Sequence, residues 1–350
     1  MRTCLEPFRS CCVAILAGGI LAGSLAAQAP HHAKAESRSS PSVPGLTLRL
    51  WRQPKAIASL DLRYGSGSAD RAPHGPMTFV AEDTNGSNPK FVARDADGVK
   101  WKFKLGPEAQ PETAATRLLW AVGYYCREDY FVPSIRVSGV RLRRGQNLIG
   151  PGGTVRNARL ERMSADEKKI GTWKWKQNPL AGTREFNGLR VMMALVDNWD
   201  LKDDNNAVYQ SKADPGQEIY MVSDVGATFG ATHIRLMTNA AKNNVHDFTH
   251  ASRRFVSHAT AAYVSFDAPG RPSWTLMLMP PDYIQRENEA WIGQHVPRAD
   301  VLWITNLLAQ LTPEQLRAAF AGAGYDAIQS KDFSDAVAER IRELKDLRNF

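Results

Sequence analysis

Two neighbouring stretches decide the reading of this chain: Val196-Asp-Asn-Trp-Asp-Leu-Lys-Asp-Asp-Asn-Asn-Ala-Val-Tyr209 and Met221-Val-Ser-Asp-Val-Gly-Ala-Thr-Phe-Gly230. The first packs four carboxylates and three asparagine amides between two apolar segments. Within it Asp200 is followed five residues later by Asn205. In the second, Asp224-Val-Gly226 follows a short apolar run. Asp200 and Asn205 are the candidates within the acidic run, while Asp203 and Asp204 read as solvated loop acids.

The element leading into the first stretch is legible. Thr183 is placed to cap a helix whose Phe186, Leu189, Met192, Met193 and Val196 recur at helical spacing. That stripe reads as core, and it carries the chain directly to Asp197 and Asp200. Just upstream, Thr172-Trp-Lys-Trp-Lys puts two tryptophans on one face when extended, which reads as packing.

Further towards the N-terminus the period changes from helix to strand. Thr78–Ala81 and Lys90–Arg94 read as strands around the turn Asp83-Thr-Asn-Gly-Ser-Asn-Pro89. Asp95-Ala-Asp-Gly98 is a hairpin signal, and Val99–Leu105 is a third strand. There Val99, Trp101, Phe103 and Leu105 face one side while Lys100, Lys102 and Lys104 face the other. Pro111 is expected to open a helix with Glu112 in its first turn, Ala115, Leu118, Leu119 and Val122 on its apolar face, and Gly123 at its end. A first-turn acid is also favoured by the helix dipole alone. Tyr130–Val140 is read as the last strand and a hinge, with an Arg- and Gly-rich stretch beyond it. Gly150-Pro-Gly-Gly153 is no P-loop, because no Gly-Lys-Ser/Thr follows.

Composition sets the outer bounds. The chain has 350 residues, 43% of them hydrophobic, enough for one large or two small cores. The formal net charge is +8, but basic residues are not blocked with aromatics, which argues against nucleic-acid binding. Residues 1–29 read as a signal peptide: Arg2 and Arg9 precede the apolar run Cys11–Leu25 and an Ala-rich end. Residues 30–45 read as a flexible linker. The mature chain is then exported, to a periplasmic or extracellular space, and no later apolar run is long enough to span a membrane. Of the four cysteines only Cys126 lies beyond the signal, so no intrachain disulfide is expected.

Taken in order, Lys104, Glu112, Asp200…Asn205 and Asp224-x-Gly226 resemble the protein-kinase-like superfamily. The pattern is most similar to its atypical branches: HipA-type kinases, spore-coat CotH-type kinases and the secretory-pathway kinases. Phe229-Gly230 resembles the end of the Asp-x-Gly-x-x-Phe-Gly of the last group. The resemblance implies an α+β, two-lobed fold with a small antiparallel β lobe bearing one key helix (residues 46–135) and a larger, mainly helical catalytic lobe (136–350). It implies that Lys104 binds nucleotide phosphates, that Glu112 orients it, and that Lys102 is the reserve for the lysine. The turn at Asn85, Gly86 and Ser87 would cover the phosphates. Asp200 would accept the proton of an acceptor hydroxyl on a protein or small molecule, and Lys202 would touch the transferring phosphate. Asn205 and Asp224 would hold Mg²⁺ or Mn²⁺, with ATP or another nucleotide as donor. The sequence departs from the family pattern at three places. Asn198-Trp199 stands where His-Arg is usual, the phosphate turn has one glycine, and no Ala-Pro-Glu follows. These departures leave open an exported pseudokinase or a metal-stabilised binding module, and transfer of a nucleotidyl group.

Other constellations are weaker. The acidic run lacks the EF-hand spacing. His246 and His250 have the spacing of a zinc helix without its Glu, His258 being a third candidate. The C-terminal part is expected to be mainly helical. Phe248–Val264 and Arg298–Leu311 show apolar periodicity, Thr312-Pro-Glu-Gln315 is a capping box, and Phe333, Val337, Ile341 and Leu344 form one face of a last helix. Tyr263–Asp267 and Trp274–Leu278 are read as short strands.

Overall fold

Alternating side chains along three short strands build the first layer of the molecule. The structure, a computed structural model, describes residues 45–86, 88–198, 200–230, 242–252, 255–267 and 288–349. All of these belong to one compact unit, Ser37–Phe350. After a short strand β1 (Thr47–Arg49), strands β2 (Met77–Asp83), β3 (Lys90–Arg94) and β4 (Lys100–Lys104) form an antiparallel meander. The β3–β4 hairpin closes as its sequence requires. The buried Asp95 carboxylate accepts the Val99 N–H at 2.8 Å and the Trp101 indole N–H at 2.7 Å, and Gly98 takes φ +82°. Helix α1 (Ala109–Ala121) follows, then β5 (Asp129–Ser138), the two-residue β6 (Ile149–Gly150) and β7 (Thr154–Arg162).

These strands form one six-stranded sheet in the order β4-β3-β2-β5-β7-β6. An added antiparallel pairing of β4 with β7, and a short parallel pairing of β2 with β5, close five of them into a ring. Inside it Phe91 stacks on Phe103 at 4.4 Å, and Trp101 meets Tyr130 edge-on at 5.8 Å. The sheet therefore continues past residue 135, where the strand-rich part was expected to end, because β5 needs β7 as its antiparallel partner from Asp129 to Arg136.

Helix α1 begins at Ala109, two residues before the expected Pro111, because the Glu112 N–H already reaches the Glu108 carbonyl at 3.1 Å. Pro111 sits third in the helix, where no intrahelical N–H is required. Gly123 ends it at φ +101°, and a Cβ there would lie 2.2 Å from the Arg52 carbonyl oxygen. Gly123→Ala combines a left-handed backbone with that clash, so it is expected to cost more than about 1 kcal/mol in urea unfolding. A midpoint equal to the parent's would contradict this.

A second layer follows. Strand β8 (Glu167–Gly171), helix α2 (Arg184–Leu195), β9 (Asn206–Ser211) and β10 (Gln217–Val222) come next, and β1, β10, β9 and β8 make a four-stranded sheet. The Thr183 hydroxyl caps α2 by accepting the Phe186 N–H. Trp173 and Trp175 are buried edge-to-face at 4.8 Å, so the expected packing role holds.

Among the described residues, the remainder is less helical than its periodicity suggests. Helix α3 (Val245–Ala251) stops early, and β11 (Val256–Ala259), β12 (Tyr263–Phe266) and β13 (Val296–Pro297) form a three-stranded sheet. The helix expected through Val264 is broken because the Glu343 carboxylate takes the backbone N–H groups of Phe255 and Val256, at 3.3 and 2.9 Å. The expected strand Trp274–Leu278 lies outside the described residues. Helices α4 (Arg298–Leu308), α5 (Pro313–Gly322) and α6 (Ala327–Asp346) close the chain. Capping boxes open α5 at Thr312/Gln315 and α6 at Asp326/Gln329. Buried residues of α1, α2 and these helices share one large core, separate from the core inside the ring. Among the described residues, no helix is long and apolar enough to cross a membrane.

Candidate active site

Lys104 ends β4 on the outer side of the ring, and its ammonium is fully enclosed. Three carboxylates converge on it. Glu108 and Glu112 each approach to 2.7 Å, and Asp224 offers both oxygens at 3.0 and 3.1 Å. The spacing explains the first two: Glu108 stands at the position before α1 and Glu112 lies one turn later on the same face. Asp224 arrives from 120 residues away, on the segment that follows β10.

Behind this cluster stands a second, buried layer. Arg159 of β7 reaches the other oxygen of Glu112 at 3.3 Å and Asp129 at 2.6 Å. Asp129 is held in turn by the Thr116 hydroxyl and the Arg117 guanidinium. The side chain of Glu112 therefore has little freedom, and Lys104 is aimed by a partner that is itself fixed.

The electrostatics follow from burial and charge count. Burial works against the Lys104 ammonium, but Glu112, Asp224 and Glu108 outweigh it and hold its pKa well above the usual amine range. Burial pushes the Glu112 carboxyl up to about 7 against the pull of Arg159 and Lys104. For Asp224 burial is overcome by Lys104 and by the Gly226 N–H, and its pKa falls to about 2. Its ionised form is thus favoured by folding. That stability is present above the ordinary aspartate value of 3.8 and is lost as pH falls through about 2. In acid titrations of stability, wild type is expected to fall more steeply across that window than Asp224→Asn. Parallel curves would contradict the assignment.

The acidic stretch closes around Asn205. Its backbone carbonyl accepts the N–H groups of Ser223 and Asp224 at 2.8 and 3.1 Å, and its side-chain amide donates to the Asp200 carbonyl at 2.7 Å. One residue thus ties the Asp200 turn to Asp224. The Asp200 carboxylate, half-buried, pairs with Lys202 at 3.0 Å. Gly226 allows the close approach of the two halves, since a Cβ there would lie 2.8 Å from the Glu108 side chain. Phe229 is buried among Phe248, Phe320 and Phe333, and its N–H bonds the Val196 carbonyl at 2.9 Å.

The residues singled out in the sequence are therefore gathered unevenly. Lys104, Glu112 and Asp224 meet directly, while Asn205, Asp200 and Lys202 adjoin them through backbone links. Lys102 points to the same side but is taken by Asp83 at 2.9 Å, so it touches neither Glu112 nor Asp224. The Asn85 N–H bonds the Asp83 carboxylate at 3.0 Å, and Gly86 takes φ +70° in the same turn. Ser87 lies outside the described residues. Asp203, among the acids of the loop, is not merely solvated, because it accepts the Trp175 N–H at 2.9 Å. His246 is exposed against Asp247 and takes part in no metal cluster among the described residues.

Sequence reasoning missed Glu108, Arg159 and Lys242. The signal for Glu108 was present, four residues before Glu112 on one helix face. Arg159 becomes visible only once β7 is paired with β4, which brings it opposite Lys104. Asn88 and Lys242 both bond Glu108, the former at 2.6 Å.

Among the described residues, the carboxylates of Glu108, Glu112 and Asp224 come within 4.8 Å of one another. These donors are hard oxygens, which suit Mg²⁺ or Mn²⁺ better than a soft metal.

No protein-family model matches the chain, and no curated protein matches it either. Among solved structures it is similar to one described as a Helicobacter pylori proinflammatory kinase, CtkA. The TM-score is 0.39 and the identity 9%, over 77% of this chain and 96% of that one. Similarity at that level leaves the functional reading to rest on the residues themselves.

Proposed function

We propose that this chain is an exported, kinase-like phosphotransferase that moves a phosphoryl group from ATP or another nucleotide to a hydroxyl acceptor, with Mg²⁺ or Mn²⁺. The observation that carries the reading is the ammonium of Lys104, gripped at once by Glu112 of α1 and by Asp224 of the Asp-x-Gly segment. A strand lysine, a helix glutamate and a distant aspartate rarely converge in a buried site for stability alone, since a buried ion cluster offsets much of its own attraction by desolvation.

In this reading Lys104 leaves Asp224 for the phosphates while Glu112, backed by Arg159, keeps it aimed. Asp224 and Asn205 would hold the metal, which would supply positive charge to screen the phosphate oxygens. Asp200 orients the acceptor hydroxyl and takes its proton as the new oxygen–phosphorus bond forms and the bond to the nucleotide's bridging oxygen breaks. Lys202, paired with Asp200, would meet the transferring group. Asn198-Trp199, in place of His-Arg before Asp200, favours one competing reading, a binding module that holds nucleotide without transfer.

Calorimetric titration of the mature chain with ATP, with and without Mg²⁺ or Mn²⁺, tests the proposal. Metal-dependent binding is expected, and Lys104→Ala is expected to weaken it far more than Lys100→Ala. Equal affinities in the two variants would return the lysine to a structural ion cluster. Binding without transfer to any hydroxyl, the chain's own included, would support the binding module.

A further inference from the structure

The turn that would cover the phosphates is poor in glycine, yet it is not poor in charge. Lys90 opens β3 directly after it, and the strand register sets Lys90 opposite Lys104 and Phe91 opposite Phe103. Phe91 and Phe103 point into the ring. By the alternation of a strand, Lys90 and Lys104 therefore both point out of it, to the side on which Asp224 lies. Like charges facing each other across a strand pair repel, so such a pair needs a reason.

The two lysines are treated differently. Lys104 is surrounded by three carboxylates, and Lys102 is taken by Asp83. Lys90 has no carboxylate within ion-pair distance among the described residues. Its ammonium lies back against the turn, 3.3 Å from where a Cβ on Gly86 would be. On the far side of the same turn, Arg144 donates to the Gly86 carbonyl. Burial, together with the neighbouring Lys104, holds the Lys90 pKa below the usual amine value. An anion added there relieves both burdens.

We propose that Lys90 is a phosphate-binding cation of this site, taking oxygens of the polyphosphate chain of a nucleoside di- or triphosphate beneath the Gly86 turn. The inference rests on the nucleotide reading above and deepens it. A lysine ammonium does here what backbone N–H groups of a glycine-rich loop do elsewhere, and the ligand class becomes a polyphosphate rather than a nucleoside or a monophosphate.

The test is calorimetric titration of the full mature chain, and of its Lys90→Ala, Lys90→Arg and Lys100→Ala variants, with inorganic tripolyphosphate and with Mg·ATP. Thermal unfolding of each variant checks that it is folded. Lys90→Ala is expected to lose roughly tenfold or more in affinity for both probes, the scale of one charge-assisted contact. Lys90→Arg is expected to recover most of that loss, and Lys100→Ala to match wild type. If Lys90→Ala and Lys90→Arg both bind the two probes as tightly as wild type, the inference is overturned while the nucleotide reading stands. If wild type binds tripolyphosphate through Lys90 but not Mg·ATP, the inference stands and the nucleotide reading fails. Binding of neither probe to folded wild type overturns both.

Discussion

Replacing Asp224 by alanine is expected to abolish metal-dependent nucleotide binding and turnover together. Asp224 is the one carboxylate of the cluster that joins the strand-and-helix half of the site to Asn205. Its loss would remove the metal ligand proposed above and a carboxylate that pairs with Lys104. Asp200→Ala should behave differently, keeping nucleotide and metal while transfer falls roughly a hundredfold or more, the scale of a positioned general base. Asp203→Ala should leave turnover per folded molecule close to wild type while costing about 1 kcal/mol of stability, because it frees the Trp175 N–H. Turnover and affinity across these three variants separate the roles. Equal damage to turnover from Asp203→Ala and Asp224→Ala would show that the assignment of roles within the acidic turn is wrong.

The second large effect is on stability. Arg340 of α6 is fully buried, and its guanidinium donates to the carbonyls of Ala194 and Leu195 at 3.0 and 2.9 Å and to the Ser252 hydroxyl at 2.8 Å. It stacks over Phe248 at 4.1 Å and Phe255 at 5.1 Å. Those two carbonyls end α2, where a helix carries its partial negative charge, and the Ala194 carbonyl also accepts the Asp197 N–H at 3.0 Å. The chain turns directly afterwards, through Asp197 at φ +54°, into the segment bearing Asp200. Arg340→Ala removes the side-chain donor from the Leu195 carbonyl, strips the Ala194 carbonyl of one of its donors and opens a cavity, so a loss of about 3 kcal/mol or more is expected. Denaturant unfolding measures it, and a loss below about 0.5 kcal/mol, the range of ordinary surface changes, would contradict the account.

How much of this was legible in the sequence depended on how local the cause was. The α2 cap at Thr183, the α5 capping box and the Asp95–Gly98 hairpin are settled by residues within four positions of each other, and each formed as read. Lys104 and Glu112 were legible because a short loop joins their elements. Asp224 was legible from the Asp-x-Gly pattern, although its ion pair spans 120 residues. What could not be read came from distant partners. The extension of the sheet to Arg162 depends on pairing between β5 and β7, and the break after α3 depends on Glu343 far along the chain. Lys102 and Lys104 were indistinguishable by alternation; their partners tell them apart, Asp83 for the one and Glu108, Glu112 and Asp224 for the other.

The closed ring of strands has a consequence for motion. Because β4 is hydrogen-bonded to β3 on one side and to β7 on the other, the strand that carries Lys104 has no free edge along which to fray. Asp224, in contrast, lies two residues past the end of β10 and is kept in place by its N–H to the Asn205 carbonyl, by the Gly226 N–H and by the Lys104 ammonium. Amide exchange at β4 should then be governed by global unfolding, and exchange at the Asp224 segment by local opening. If the site opens and closes, the lysine is its anchor and the aspartate is the part that travels.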